Sequence, residues 1–98
     1  MEVIYKDRRL QRVCTNIDAA SRKYGIRMAQ VIHTRIRQIK SADDIEGLLA
    51  ERLGRCHALK GDRQGQYAMD LVHPYRLVFE RLGEVVQIAR IVEIADYH

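Results

Sequence analysis

The chain lacks tryptophan and is poor in several other residue types: it has one phenylalanine, one proline, two serines and two cysteines. With only Phe79, aliphatic side chains must supply most of the core, and the length predicts one small domain, residues 1–98. Ser21 and Ser41 lie in helical or capping contexts, so no nucleophile elbow of a serine hydrolase is present. The acids are scattered and do not suggest the paired carboxylates of a glycosidase. The common hydrolases are therefore not indicated.

Cysteine spacing also argues against several functions. Cys14 and Cys56 lack the spacing of a zinc site or a redox motif. His57, His73 and His98 do not have metal-ligand spacing either, so we predict no metal site and no cofactor. No apolar run approaches the length that crosses a bilayer, and the charged N-terminal segment does not resemble a secretory signal. We expect a protein of the reducing cytoplasm that does not engage a membrane.

Acidic residues are absent from a long stretch of this chain, whose net charge is +4. Residues 19–42 contain six basic side chains and no Asp or Glu, and residues 52–63 contain four against a single acid, Asp62. From Glu80 onward the acids outnumber the bases. Such segmental positive charge is typical of a surface that binds phosphate groups, and a solvated helix face produces the same pattern.

Hydrophobic residues repeat at helical spacing in the first half of the chain. Residues 2–5 read as a short strand, and a helix follows from about Asp7 to Tyr24, where Gly25 ends it. A second helix covers roughly 26–39. Because almost nothing joins the two helices, we expect them to pack as a hairpin.

Helical spacing gives way to alternation after a short third helix, which we predict from Ser41 to about Leu53. The alternating pattern predicts four further strands, 55–60, 66–71, 75–80 and 85–94. Short turns join them, so we expect antiparallel pairing. The sequence thus predicts an α+β, two-layer fold. An N-terminal strand and a helical hairpin pack on a mostly antiparallel sheet of four to five strands.

Three stretches carry side chains that transfer protons or hold positive charge. The turn within His57–Gly65 contains two glycines and can approach a phosphate closely. Arg76 alternates with the predicted core residues of its strand, so it points to the open face of the sheet. After the last strand, Tyr97 offers a ring for base stacking and His98 titrates near neutral pH. Taken singly, each stretch also fits a plain turn, a solvated arginine or a tail.

A protein nucleophile is missing from these stretches, which favours a reaction whose nucleophile belongs to the substrate. RNA supplies one, its 2′-hydroxyl group. Attack on the adjacent phosphate needs a base, an acid for the leaving 5′-oxygen, and cations for the charge on the phosphoryl oxygens. Histidine, lysine, arginine and tyrosine side chains are sufficient for this reaction, and no metal ion is required.

Together the three stretches resemble the HigB branch of the RelE/ParE superfamily of toxins from type II toxin–antitoxin systems. The matching blocks are His57–Gly65, Tyr75–Phe79 and Asp96–His98, in the same order and spacing, within the C-terminal half. Tyr75 stands where many relatives have tryptophan. The resemblance implies a RelE-like fold and a ribosome-dependent mRNA endonuclease, an mRNA interferase that inhibits translation.

The resemblance also implies roles for particular residues. The catalytic set would be His57, Lys60, Arg76, Tyr97 and His98, and the substrate-binding residues would be Arg63 and Asp96. Lysine and arginine would hold and neutralise the scissile phosphate, the two histidines would share the proton transfers, and the tyrosine would stack on or orient the nucleotide.

The implied partners are a HigA-like helix-turn-helix antitoxin, the ribosome and mRNA, with operator DNA bound only through the toxin–antitoxin complex. Three other interpretations stay open. One is a ParE-like toxin that inhibits DNA gyrase without nuclease chemistry, although that group generally lacks the full residue set. Another is a non-catalytic module that binds RNA or an antitoxin, and the third is an inactive toxin retained for operator regulation.

Overall fold

The computed structural model describes residues 1–97, and His98 lies outside the described residues. The strands are β1 (Glu2–Tyr5), β2 (His57–Ala58), β3 (Gln66–Asp70), β4 (Tyr75–Leu82) and β5 (Ile88–Asp96). The α-helices are α1 (Arg8–Thr15), α2 (Ile17–Tyr24), α3 (Ile26–Ser41) and α4 (Ile45–Glu51). Two single turns of 3-10 helix, Leu53–Arg55 and Gly61–Arg63, flank β2.

The five strands form one sheet in the order β1-β5-β4-β3-β2. The pairs β2–β3, β3–β4 and β4–β5 are antiparallel, as the short turns between them require. β1 runs parallel to β5 because the helices intervene between the two strands in the chain. The predicted α+β architecture with a mostly antiparallel sheet is confirmed.

The prediction of one helix from Asp7 to Tyr24 was wrong, because the helix is broken at Asn16. The backbone N–H of Asn16 closes the last turn of α1, and its side chain accepts a hydrogen bond from Ala19 N at 3.1 Å at the start of α2. Asparagine competes well for such a cap, so the apolar stripe continues while the helix axis changes. The predicted hairpin is present between α2 and α3, which meet at Gly25.

Strands β3 and β4 differ from the predicted bounds by one or two residues, whereas two other predictions are further off. The stretch 55–60 contributes only the two residues of β2. The stretch 85–94 was placed too early, because β5 begins at Ile88 and Val85 is 97% exposed in the preceding turn. Gly83 has φ +78°, and a Cβ there would lie 2.4 Å from the Val86 carbonyl oxygen, so the turn is tight. Val85 and Val86 lie at the exposed end of this turn, and their apolar character led the sequence pattern to be assigned to a strand.

The helices cover one face of the sheet and enclose the main core. Its largest fully buried side chains include Phe79, Ile32, Ile39, Ile45, Leu48, Met69, Leu77 and Ile91. The opposite face carries a much smaller apolar cluster of Ala68, Val78 and Ala95, with Leu59, Val92 and Tyr97 packed around it. This second face therefore has room for polar chemistry. Within residues 1–97 no helix combines the length and the apolar surface that spanning a membrane requires.

Candidate active site

Strand alternation brings several predicted site residues to the face that the helices leave open. On β4, Leu77 is fully buried in the main core, so Arg76 and Val78 point to the other face. His57 pairs with Ala68, and Ala68 pairs with Val78, so the His57 side chain projects from this face as well. The structure thus places His57 and Arg76 on one surface.

Arg76 is held by two contacts on that surface. Its Nε lies 3.6 Å from Oδ1 of Asp70, the residue opposite it on β3. Its guanidinium carbon lies 4.8 Å from the ring centroid of Tyr97, a cation–π contact. A second arginine, Arg55, places its Nε 3.3 Å from the other oxygen of Asp70. The Asp70 carboxylate therefore holds two guanidinium groups beside each other.

These residues line two adjoining clefts. The larger, of about 500 Å³, is lined by Leu49, Arg52, Arg55, Cys56, His57, Ala58 and Arg76. The smaller, of about 210 Å³, is lined by Arg55, Asp70, Leu71, His73, Pro74, Tyr75, Arg76 and Tyr97. Arg55 and Arg76 belong to both, so two cations stand at the junction of the clefts, where an anion would be attracted. His57 lines only the larger cleft and Tyr97 only the smaller one, so these two side chains lie on opposite sides of the junction.

The orientation of the His57 ring follows from one hydrogen bond. Its Nδ1 lies 2.9 Å from the backbone carbonyl oxygen of Arg55. A carbonyl oxygen only accepts, so Nδ1 carries the proton and donates it. In the neutral ring Nε2 is then the nitrogen with the free lone pair, and it is the atom that can accept a proton from a substrate.

Arg63 and Asp96, the two predicted substrate-binding residues, do not line the two clefts around Arg76. Arg63 donates from Nη2 to Glu93 and from Nε to Oε1 of Gln66 at 2.8 Å. The hydrogen bond with Glu93 raises the pKa of the Arg63 guanidinium and pairs its charge within the protein. Asp96 pairs with Tyr75, which packs on the main core, so alternation directs Asp96 to the opposite face from Arg76. The structure does not bring Asp96 to the clefts.

Two other predicted residues lie at the margins or beyond. Lys60 is exposed and lines a third groove of about 540 Å³, which adjoins the larger cleft at Ala58. His98 lies outside the described residues.

Cys56 lines the larger cleft, but burial raises the pKa of its thiol to about 11, so it is protonated near neutral pH. In the stretch 1–97, no three His, Cys, Asp or Glu side chains gather in a way that could hold a metal ion.

Sequence reasoning missed three residues that build this surface: Arg52, Arg55 and Asp70. Asp70 lies two residues after Ala68 on β3, so the two side chains point to the same face, and this spacing was the available signal that Asp70 shares a face with Arg76. Arg52 and Arg55 have positive φ values of 53° and 54° and belong to a turn whose path no periodic pattern reveals. With Arg76 they bring the number of arginines that line the larger cleft to three.

A side chain of the helical layer holds the backbone carbonyl group of Asp70. Arg35 of α3 donates from Nε to the Asp70 carbonyl oxygen at 2.7 Å. Gly54, with φ +56°, packs so closely on this arginine that a Cβ there would lie 2.5 Å from its Nε. The arginine pair of the open face is thus connected to α3 through a single, closely packed side chain.

The fold has counterparts among solved structures, whereas no protein-family model and no curated protein matches the sequence. The chain is similar to a YoeB/ParE toxin from Agrobacterium tumefaciens, with a TM-score of 0.69 and 18% identity over 100% of both chains. It is also similar to a chain of the YoeB-YefM complex from Staphylococcus aureus, with a TM-score of 0.65 and 18% identity over 100% of this chain and 97% of that chain. At such identities the likeness concerns the fold. The chain therefore has a YoeB/RelE-like toxin fold.

Proposed function

We propose that this protein is the toxin of a type II toxin–antitoxin system and acts as a ribosome-dependent, HigB-like mRNA endonuclease. The observation that supports this proposal is the shared open face on which His57 and Tyr97 lie on either side of the arginine pair Arg55 and Arg76. A proton acceptor and two cations are among the groups that RNA cleavage by its own 2′-hydroxyl requires, and an aromatic ring can stack on a base.

In the proposed reaction, Nε2 of His57 takes the proton from the 2′-hydroxyl of the nucleotide before the cut. The 2′-oxygen attacks the adjacent phosphorus, and the bond to the 5′-oxygen of the next nucleotide breaks. Arg76 and Arg55 stabilise the charge on the phosphoryl oxygens. His98 gives a proton to the leaving 5′-oxygen, so the products are a 2′,3′-cyclic phosphate and a 5′-hydroxyl end. No cofactor takes part in this scheme.

The proposed location is the cytoplasm, where the ribosome would hold the mRNA against this small and open site. Presentation by the ribosome supplies the in-line geometry that a shallow cleft does not impose by itself. The proposed partner is a HigA-like helix-turn-helix antitoxin, through which the pair would bind operator DNA. The similar staphylococcal chain is in a YoeB-YefM complex, which supports an antitoxin partner.

The test is induced expression of wild type, Arg76→Ala and a variant lacking His98, with growth followed and mRNA 5′ ends mapped. The matched control is Arg81→Ala, because Arg81 lies on the same strand and pairs with Glu46 at 3.9 Å, as Arg76 pairs with Asp70 at 3.6 Å. We expect wild type and Arg81→Ala to stop growth with cuts inside translated codons. The other two variants should fold and be silent.

The alternative function is gyrase inhibition of the ParE type. It would show as growth arrest with intact mRNA and with Arg76→Ala as toxic as wild type. A purely RNA-binding or antitoxin-binding module would arrest growth in none of the strains. Either result would overturn the proposed nuclease.

A further inference from the structure

A third groove continues the two clefts of the open face around the edge of the sheet. It has a volume of about 540 Å³ and is lined by Ala58, Leu59, Lys60, Gly61, Gln64, Gly65, Gln66 and Tyr67. Ala58 lines both this groove and the His57–Arg76 cleft. A chain that lay in the larger cleft could therefore pass over a single residue of β2 into the groove.

The backbone of Ala58 faces outward at this crossing. Leu59 N donates to Gln66 O at 2.9 Å, which makes 59 and 66 a hydrogen-bonded antiparallel pair. The intervening pair, Ala58 and Tyr67, is then of the other type, and the N–H and C=O of Ala58 point away from β3. One donor and one acceptor stand together on the open edge.

The walls of the groove offer a ring and two amides. Tyr67 stacks on Phe79 with ring centroids 5.8 Å apart and planes at 27°, so the orientation of its ring is fixed. The side-chain oxygen Oε1 of Gln66 accepts a hydrogen bond from Arg63 Nε at 2.8 Å, which leaves the amide Nε2 of Gln66 to donate. Gln64 is exposed beside it. Among residues 1–97, Lys60 is the only charged side chain that lines the groove.

We propose that this groove binds the nucleotide next to the scissile phosphate in single-stranded RNA. The base would lie against Tyr67, the amides of Gln64 and Gln66 and the Ala58 backbone would meet its polar edge, and Lys60 would contact its phosphate. The inference rests on the proposed nuclease function and adds a subsite that influences which nucleotides are cut. The polar, glycine-containing lining is a poor match for an apolar helix of a protein partner.

The experiment uses purified full-length protein, ribosomes and mRNAs with the nucleotides around one codon randomised, and it maps the 5′ ends. The variants are Gln64→Ala and Tyr67→Leu, with Gln30→Ala, an exposed glutamine of α3, as the control. We expect Gln64→Ala to lose a base preference at one position beside the cut. Loss of base stacking in Tyr67→Leu should lower the cutting rate about tenfold. Gln30→Ala should equal wild type.

Thermal melting of each variant shows whether it is folded, and exposed Gln64 keeps the test valid if Tyr67→Leu unfolds. If wild type cuts and both folded variants cut the same sites at the same rate, the subsite is overturned and the nuclease stands. A groove that binds a protein partner would give this result too, since no antitoxin is present. If wild type cuts nothing, the proposed function fails, and the subsite fails with it.

Discussion

The guanidinium of Arg76 lies over the ring of Tyr97, 4.8 Å from its centroid. We predict that Tyr97→Phe keeps this contact and mRNA cutting, whereas Tyr97→Leu loses it. The leucine variant should cut about tenfold less, because it also lacks the ring that we propose to stack on a base. It should lose about 1 kcal/mol of unfolding free energy, as expected for a partly exposed cation–π pair. Mapped 5′ ends and thermal unfolding measure the two effects. If phenylalanine is as silent as leucine, the hydroxyl group itself takes part.

Asp70 holds Arg55 and Arg76 through separate oxygens, at 3.3 and 3.6 Å. Asp70→Asn keeps the size of the side chain and removes its charge. We expect less than about 1 kcal/mol of lost stability, because exposed ion pairs contribute little. Cutting should fall about tenfold, because the guanidinium groups lose their fixed positions. Asp62→Asn, an exposed acid beyond β2, is the control. Faster cutting by Asp70→Asn would mean that the carboxylate shields the arginines from RNA.

Gly54 packs on Arg35, which in turn holds the Asp70 carbonyl oxygen. We predict that Gly54→Ala lowers the free energy of unfolding by about 2 kcal/mol, from a strained positive φ and a displaced arginine. Gly61→Ala is the matched control, since Gly61 also has a positive φ, +65°, and has open space around it. Denaturant unfolding compares the two variants. Equal losses would show that the contact with Arg35 adds nothing to the backbone strain.

The two thiols give the protein a predictable response to alkali. Burial raises the pKa of Cys14 to about 12 and that of Cys56 to about 11, from 9.0. Below pH 9 both states keep their thiol protons, and above it the unfolded state loses them first, so stability falls as pH rises. We expect a decline of up to roughly 1.4 kcal/mol per pH unit and thiol above pH 9. Denaturant unfolding from pH 7 to 10 measures it, and Cys14→Ala should show a shallower decline.

Those parts of the fold that repeat regularly were predictable from the sequence. The alternation of Tyr75–Phe79 gave both the strand β4 and the outward direction of Arg76. The break at Asn16 was not predictable from spacing, because the apolar stripe runs on across it. The exposed tip at Val85 was misassigned because composition does not distinguish a buried apolar run from a tight turn beside Gly83.

The candidate site was predictable only in part. Motif resemblance selected His57, Arg76 and Tyr97, which the structure places around one pair of clefts. It gave no indication that Arg55 joins them, because Arg55 lies in a left-handed turn that packs against β3 and has no periodic pattern. Arg63 was assigned to the substrate, yet it pairs with Glu93, a partner thirty residues away in sequence. Long-range charge pairing of this kind leaves no periodic signal.

The sheet order gives the two sides of the site unequal rigidity. β4 and β5 are long, and each is paired with a neighbouring strand on both edges. Arg76 on β4, and the end of β5 that leads into Tyr97, therefore belong to the backbone best protected from hydrogen exchange. His57 lies on a two-residue strand at the sheet edge, with only β3 beside it. Amide hydrogens of β2 should exchange far faster than those of β4. His57, the proposed proton acceptor, can therefore shift to meet a substrate while Arg76 stays in place.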